Sequence, residues 1–244
     1  MYCFVLLLVL LVLAKSYGDN PFGIIVRGTP AKISSYPYYA FLAYRNKKLR
    51  CGGSIIKTNV VLTAAHCLLD KNIHVYTGIQ YLEDLYEREP YRVKELISFP
   101  KYKRQVVYDI GLVILTSHIQ LGPTVNVIPV APISPRIGSR VSVVGFGRIQ
   151  CKTGEQNGKF SCVGDTSRIL RSAVLKVERN RFRTMRTRSE HQNTCEGDSG
   201  SPVVYMNKVV GIVSSGQYAN CSGYDEQVVV APYYRWIKDY LNMY

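Results

Sequence analysis

Short runs rich in Val, Ile and Tyr recur along this chain between turn-forming residues. They are Tyr38 to Tyr44, Ile55 to Leu62, Ile110 to Leu115, Val141 to Val144, Val203 to Tyr205, Val209 to Val213 and Val228 to Val230. Parallel sheets need a long crossover, usually a helix, between strands. No such helical pattern alternates with these runs, so an antiparallel, all-β architecture is expected. One helix is legible, at the end. Tyr233, Trp236, Ile237, Tyr240 and Leu241 follow i, i+3, i+4, i+7 and i+8, and Pro232 suits a first helical turn. The 244 residues, 47% apolar and 20% charged, suffice for one large or two small domains and are too apolar for a disordered chain. Pro and Gly are scattered without a period and no repeat occurs at solenoid spacing, which removes collagen-like and repeat folds.

Phe4 to Ala14 is an unbroken apolar run, too short to cross a hydrocarbon core of roughly 30 Å as a helix. Ala14-Lys15-Ser16 and Ser16-Tyr17-Gly18 follow it with the small-x-small pattern of signal-peptidase sites. Residues 1–18 therefore read as a signal peptide and the protein as secreted and extracellular, with no transmembrane anchor. Cys3 leaves with that segment. Cys51, Cys67, Cys151, Cys162, Cys195 and Cys221 remain, an even set suited to disulfides in an oxidising compartment. Six cysteines allow 15 pairings, and spacing does not choose among them. There is no CxxC pair, and His66-Cys67 is the one Cys/His neighbour, so no metal is expected.

Cys195-Glu196-Gly197-Asp198-Ser199-Gly200-Ser201-Pro202 is the segment richest in chemistry. A serine hydroxyl is a poor nucleophile until a neighbouring base takes its proton. Glycines on both sides of Ser199 permit a sharp turn and bring backbone N–H groups near a substrate carbonyl. The chain has four histidines, His66, His74, His118 and His191, and none follows Ser199, which excludes the order of an α/β-hydrolase. The one Asp before His66 is Asp19, beside the signal peptide, which removes a subtilisin-like order. His…Asp…Ser survives. His66 sits among small residues in Thr63-Ala64-Ala65-His66-Cys67, and Asp109 precedes the apolar run Ile110 to Leu115.

These segments resemble the trypsin/chymotrypsin family of serine proteases: Cys51-Gly52-Gly53-Ser54 with Thr63-Ala64-Ala65-His66-Cys67, then Asp109-Ile110-Gly111-Leu112, then Gly197-Asp198-Ser199-Gly200-Ser201-Pro202, in that order. The resemblance runs from about Ile25 to the C-terminus. It implies two packed antiparallel six-stranded β-barrels with a C-terminal α-helix and the site in the cleft between them. By position it implies Ser199 as nucleophile, His66 as general base and then acid, and Asp109 as the group that fixes the His tautomer. It further implies the N–H groups of Gly197 and Ser199 as oxyanion hole, disulfides Cys51–Cys67 and Cys195–Cys221, and no cofactor. Cys151–Cys162 is then left as a local clasp. Protein or peptide substrates and protease inhibitors are the implied partners.

Ile25-Val26-Arg27-Gly28 resembles the family's new N-terminus, whose amine pairs with the Asp before the nucleophile, here Asp198. The expected organisation is thus a signal peptide at 1–18, a short pro-segment at 19–24 and the protease domain at 25–244. Ile24 stands where most such zymogens carry Arg or Lys, which argues against a trypsin-like activator. Asn193 falls where trypsins place the acid at the pocket base. Ser214-Ser215-Gly216 offers backbone to an extended substrate, and Asp225 falls near the second pocket wall, facing either the pocket or solvent. Ile79 replaces the first carboxylate of the family's calcium loop.

The formal charge is +14, with a focus at Arg168, Arg171, Lys176, Arg179, Arg181, Arg183, Arg186 and Arg188 and a smaller cluster at Arg45, Lys47, Lys48 and Arg50. Such runs bind sulfated glycans and other polyanions. No aromatic residues interleave them in the stacking pattern of nucleic-acid binders, so no nucleic acid is expected. Two functions stand: a secreted serine endopeptidase, favoured by the complete triad, and a weak or silent homologue acting as a cationic binding protein.

Overall fold

The computed structural model describes residues 28–149, 152–156, 159–216 and 221–244, the side chains of 152–163 excepted. The chain forms β1 (Thr29–Pro30), β2 (Tyr39–Tyr44), β3 (Leu49–Lys57), β4 (Val60–Thr63), β5 (Ile73–Thr77), β6 (Val93–Ser98) and β7 (Gly111–Leu115). It continues through β8 (Arg140–Gly145), β9 (Lys152–Gln156), β10 (Lys159–Val163), β11 (Arg171–Asn180), β12 (Thr184–Arg188), β13 (Pro202–Tyr205), β14 (Lys208–Gly216) and β15 (Asp225–Val229). A 3-10 turn at Ala231–Tyr233 leads into α1 (Tyr234–Met243).

The strands form two antiparallel barrels. The first has the order β5-β2-β3-β4-β7-β6 and turns back on itself where Val75 and Tyr91 exchange backbone hydrogen bonds. In the second, β11-β12-β15-β14-β13-β8 closes as a ring because β11 also pairs with β8, and β1 adds to β11 at Arg171 and Ser172. The expected two six-stranded barrels and C-terminal helix are therefore present. Closure is continuous in the second and rests on one bridge in the first.

Burial explains why these runs become strands. All of Gly111–Leu115 is buried, as is Val60–Thr63, since both strands lie in the middle of the first barrel. Strand β11 instead alternates, with Ala173, Leu175 and Val177 buried and Val174, Lys176 and Glu178 exposed, the pattern of a strand with one face in water. The seam between barrels is aromatic. The ring of Phe146, fully buried after β8, lies 5.3 Å from that of Phe41 in an edge-to-face contact and 5.9 Å from that of Tyr39. Helix α1 docks through Ile237, with Tyr233 just ahead of it, and the rings of Tyr233 and Trp236 both meet Phe99 edge-on. Lys57 Nζ and Asn59 Nδ2 donate to the carbonyls of Leu241 and Tyr244, satisfying groups that the helix end leaves open.

Three elements differ from the sequence reading. Ile55 to Leu62 is not one strand but the hairpin β3–β4, because the polar pair Thr58-Asn59 turns the chain and Lys57 pairs with Val60. The arginine-rich stretch is the hairpin β11–β12, its alternation hidden by the density of charge. Pro232 belongs to the 3-10 turn rather than to the first turn of α1. Phe146→Ala should lower the unfolding free energy by about 3–5 kcal/mol, read from the urea midpoint. The same change at Phe182, 71% exposed, should stay within about 0.5 kcal/mol.

Candidate active site

Three segments meet at the junction of the barrels. His66 lies in the 3-10 turn Ala65–Leu68 that follows β4, and Asp109 lies just before β7. The Asp109 side chain is buried and accepts three hydrogen bonds. The His66 backbone N–H donates to Oδ1 at 2.8 Å, the His66 Nδ1–H donates to Oδ2 at 2.7 Å, and the Ser214 hydroxyl donates to Oδ2 at 2.6 Å. A carboxylate only accepts, so this contact places a proton on Nδ1, and in the neutral ring the lone pair is then on Nε2. Ser214 reaches Asp109 because β14 is irregular there: Val213 pairs with Gln227 and Ser215 with Glu226, which skips Ser214. Arg50 Nη2 donates to the His66 carbonyl at 2.7 Å while its guanidinium lies over the Tyr44 ring.

The Ser199 loop is fastened to both barrels. The Ser199 carbonyl accepts from Gly52 N–H of β3 at 2.8 Å, and Gly200 N–H donates to the Val213 carbonyl of β14 at 2.8 Å. Gly197 has φ +99°, a region that only glycine enters without strain. Among the described residues the N–H groups of Gly197 and Ser199 have no protein acceptor. Backbone donors without partners in the nucleophile's own loop are what an oxyanion site requires. The Ser199 hydroxyl makes no hydrogen bond among the described residues, and His66 Nε2 has Cys67 Sγ at 3.8 Å.

Asp198 points the other way, into the protein. Its Oδ1 accepts from Gly147 N–H at 2.8 Å and its Oδ2 from Cys195 N–H at 3.0 Å. A Cβ on Gly147 would come within 2.3 Å of this carboxylate, so the seat exists only because that residue is glycine. Burial pushes the Asp198 carboxyl up to about 6, the two N–H bonds acting against the shift. No cation lies within ion-pair distance of Asp198 among the described residues. Ile25, expected to supply an amine here, lies outside the described residues.

Below the serine loop, Asn193 Nδ2 donates to the Cys221 carbonyl at 3.1 Å while its Oδ1 is buried without a partner. Asp225 is 2% exposed, which excludes the solvated alternative, and its Oδ2 accepts from Thr194 N–H at 3.0 Å. Burial pushes its carboxyl to about 7. Ser214, expected along the substrate strand, spends its hydroxyl on Asp109, and Gly216 ends β14.

The disulfides Cys51–Cys67 and Cys195–Cys221 are formed. Cys151 and the side chain of Cys162 lie outside what is described. Cys51, His66 and Cys67 bring ligand-type atoms within 4.8 Å of one another, but the two sulfurs are bonded to each other and neither is a thiolate. Sequence reasoning missed the Ser214 hydroxyl, Arg50, Gly147 and Thr194. The Ser214-Ser215 pair carried a faint signal for the first, and Gly145-Phe146-Gly147 for the third.

Two antiparallel barrels with a His–Asp pair and a glycine-framed serine at their junction define a trypsin-like fold. The trypsin family model matches residues 25–237. Trypsin delta of Drosophila erecta is 30% identical over 210 residues, covering 83% of this chain and 82% of that protein. Human cathepsin G is 29% identical over 237 residues, covering 88% and 87%. Vitamin K-dependent protein C of Rattus norvegicus is 30% identical over 245 residues, and the match spans 52% of its length. Among solved structures, neuropsin, a serine protease expressed in the limbic system of mouse brain, superposes with a TM-score of 0.77 at 24% identity, covering 88% of this chain and 98% of that one. Human heparin binding protein superposes with 0.78 at 23%, covering 89% and 96%. The chain belongs to the trypsin family of serine proteases.

Asp198 and Asp225 both hold protons more tightly folded than unfolded. Their contribution to stability is full below the unfolded carboxyl range near 4 and is lost as pH rises through about 6 and about 7. Asp225→Asn should therefore raise Tm at pH 7.5 by several degrees, roughly 2–4 °C per kcal/mol, and leave it unchanged at pH 4. An equal shift at both values would contradict the assignment.

Proposed function

We propose that this chain is a secreted serine endopeptidase that cleaves peptide bonds through an acyl-enzyme. The observation that carries the reading is the junction network: a buried carboxylate fixing the Nδ1 face of His66, beside a serine loop with two unspent backbone donors. Ser199 Oγ attacks the scissile carbonyl, and His66 Nε2 takes its proton and later gives it to the leaving amine. Asp109 remains ionised, orients the ring and stabilises the imidazolium. Ser214 holds Asp109 from the other barrel. The N–H groups of Gly197 and Ser199 receive the oxyanion, each worth roughly 2.7–4 kcal/mol to the transition state. The Ser199–His66 hydrogen bond forms with substrate in place, as catalytic contacts that are long in the free enzyme commonly close in the complex.

Substrate lies extended along β14, adding main-chain hydrogen bonds at Ser214 to Gly216. Asn193 and Asp225 form the pocket floor. An unpartnered amide oxygen and a carboxylate favour a basic side chain in the residue before the cut, and do so once Asp225 ionises above about 7. Residues 1–18 direct secretion and 19–24 are removed. The amine freed at Ile25 then pairs with Asp198, whose buried charge otherwise lacks a cation. The disulfide Cys151–Cys162 closes the β9–β10 hairpin. A non-catalytic cationic binding protein is the second reading, favoured by Ile24 at the position before the cut.

Protein beginning at Ile25 should hydrolyse a peptide library, and Ser199→Ala should lower kcat/KM by about 10⁴-fold or more with Tm unchanged. The preference for Lys and Arg over Phe before the cut should rise between pH 6 and 8, and Asp225→Asn should remove that rise. Hydrolysis retained by Ser199→Ala, or none by the Ile25 form, would overturn the reading.

A further inference from the structure

The arginine-rich stretch does not act as one cationic surface, because five of its eight charges have partners within the molecule. Arg168 pairs with Glu83. Arg171 is buried and donates to the Gly28 carbonyl and the Ser167 hydroxyl. Arg179 and Arg186 share Glu226 at 3.2 and 3.4 Å, and Arg186 also stacks over Tyr224. Arg183 lies over the rings of Tyr108 and Phe182.

Three remain: Arg181 stands apart, exposed in the turn between β11 and β12, while Lys176 and Arg188 lie within the strands, where the register gives them a third companion from outside the stretch. Lys176 on β11 lies directly opposite Arg188 on β12 and, on its other edge, directly opposite Arg140 on β8. All three side chains are exposed, and among the described residues none has an ion-pair, hydrogen-bond or ring partner. Like charges directly opposite one another on a sheet are destabilising. Three in a row across three strands is a cost that nothing inside the fold offsets. They line one groove of about 950 Å³, whose wall includes the exposed Val174 and whose far side carries Asn193.

We infer that this groove binds a linear polyanion, a sulfated glycan chain, through Arg140, Lys176 and Arg188. Strands stand about 4.8 Å apart, so the row runs roughly 10 Å across the sheet and meets successive anionic groups of one chain. Guanidinium forks at its two ends suit the paired oxygens of sulfate. Glu178 and Glu190 also line the groove, and His191 lies 3.9 Å from Glu190. These carboxylates confine a ligand to the cationic row and would repel a broad anionic membrane surface. The inference does not depend on catalysis, since none of the three cations belongs to the serine, histidine or aspartate machinery.

The test measures binding of a fluorescein-labelled heparin oligosaccharide to the secreted protein by anisotropy, at pH 7.4 and several NaCl concentrations. Arg140→Gln/Lys176→Gln/Arg188→Gln should weaken binding by about tenfold or more and lower the salt slope by roughly two to three, near 0.7–0.9 for each cation removed. Lys101→Gln/Lys103→Gln/Lys238→Gln removes equal charge elsewhere and should change affinity less than about twofold. Thermal unfolding of the groove variant should match or exceed wild type, because like-charge repulsion is relieved. If it fails to fold, Arg140→Gln and Arg188→Gln are read singly, each with a loss of about threefold. Equal losses in the two triple variants would overturn the proposal. So would tighter binding to phosphatidylserine vesicles or single-stranded DNA, which would name another occupant, or full competition by millimolar inorganic sulfate or phosphate, which would mean a single-anion pocket.

Discussion

A carboxylate sealed at the seam between two barrels is the interaction on which the site depends. Asp109 takes two hydrogen bonds from His66 of the first barrel and one from Ser214 of the second. A buried charge is tolerable only when its acceptors are filled, and each charge-assisted bond contributes about 1.5–3 kcal/mol. The Ser214 bond ties the second barrel to the first, and the Nδ1 bond sets the tautomer of His66. Fold and chemistry thus share one constraint. Movement of β14 relative to β7 would break the Ser214 bond and leave the carboxylate that holds the imidazole short of one donor.

The serine loop obeys a second constraint of the same kind. Cys195–Cys221 and the two backbone hydrogen bonds at Ser199 and Gly200 fix its ends, and Asp198 turns inward beside Gly147. Burial pushes that carboxyl up to about 6, and the two amide bonds it accepts only partly offset the shift. A cation delivered to it would convert a destabilised group into an ion pair, which gives the proposed cut before Ile25 a physical reason to rigidify the loop.

Much of this was legible in the residues. The apolar runs announced an antiparallel fold, and the order His66, Asp109, Ser199 admitted one arrangement. The structure brings His66 and Asp109 of the first barrel into contact and sets Ser199 in a loop fastened to both barrels. What the sequence could not reveal depends on register and burial. The exposure of Asp225 was undecidable until its strand was paired, and the hydroxyl of Ser214 turned out to face a carboxylate because of a local slip against β15. The clearest case is the arginine-rich stretch. Read linearly it is one charge cluster, whereas folded it is a hairpin whose internal partners absorb five cations, and whose register aligns Lys176 and Arg188 with the distant Arg140.

The central claim, that the junction network activates Ser199, is tested most directly by incubating the Ile25 form with a fluorophosphonate probe and locating the adduct by mass spectrometry. The account predicts a single adduct on Ser199, formed by wild type and reduced by orders of magnitude in Asp109→Asn, which leaves the wrong tautomer on His66. An unlabelled Ser199 in folded protein, or equal labelling in the two forms, would contradict it.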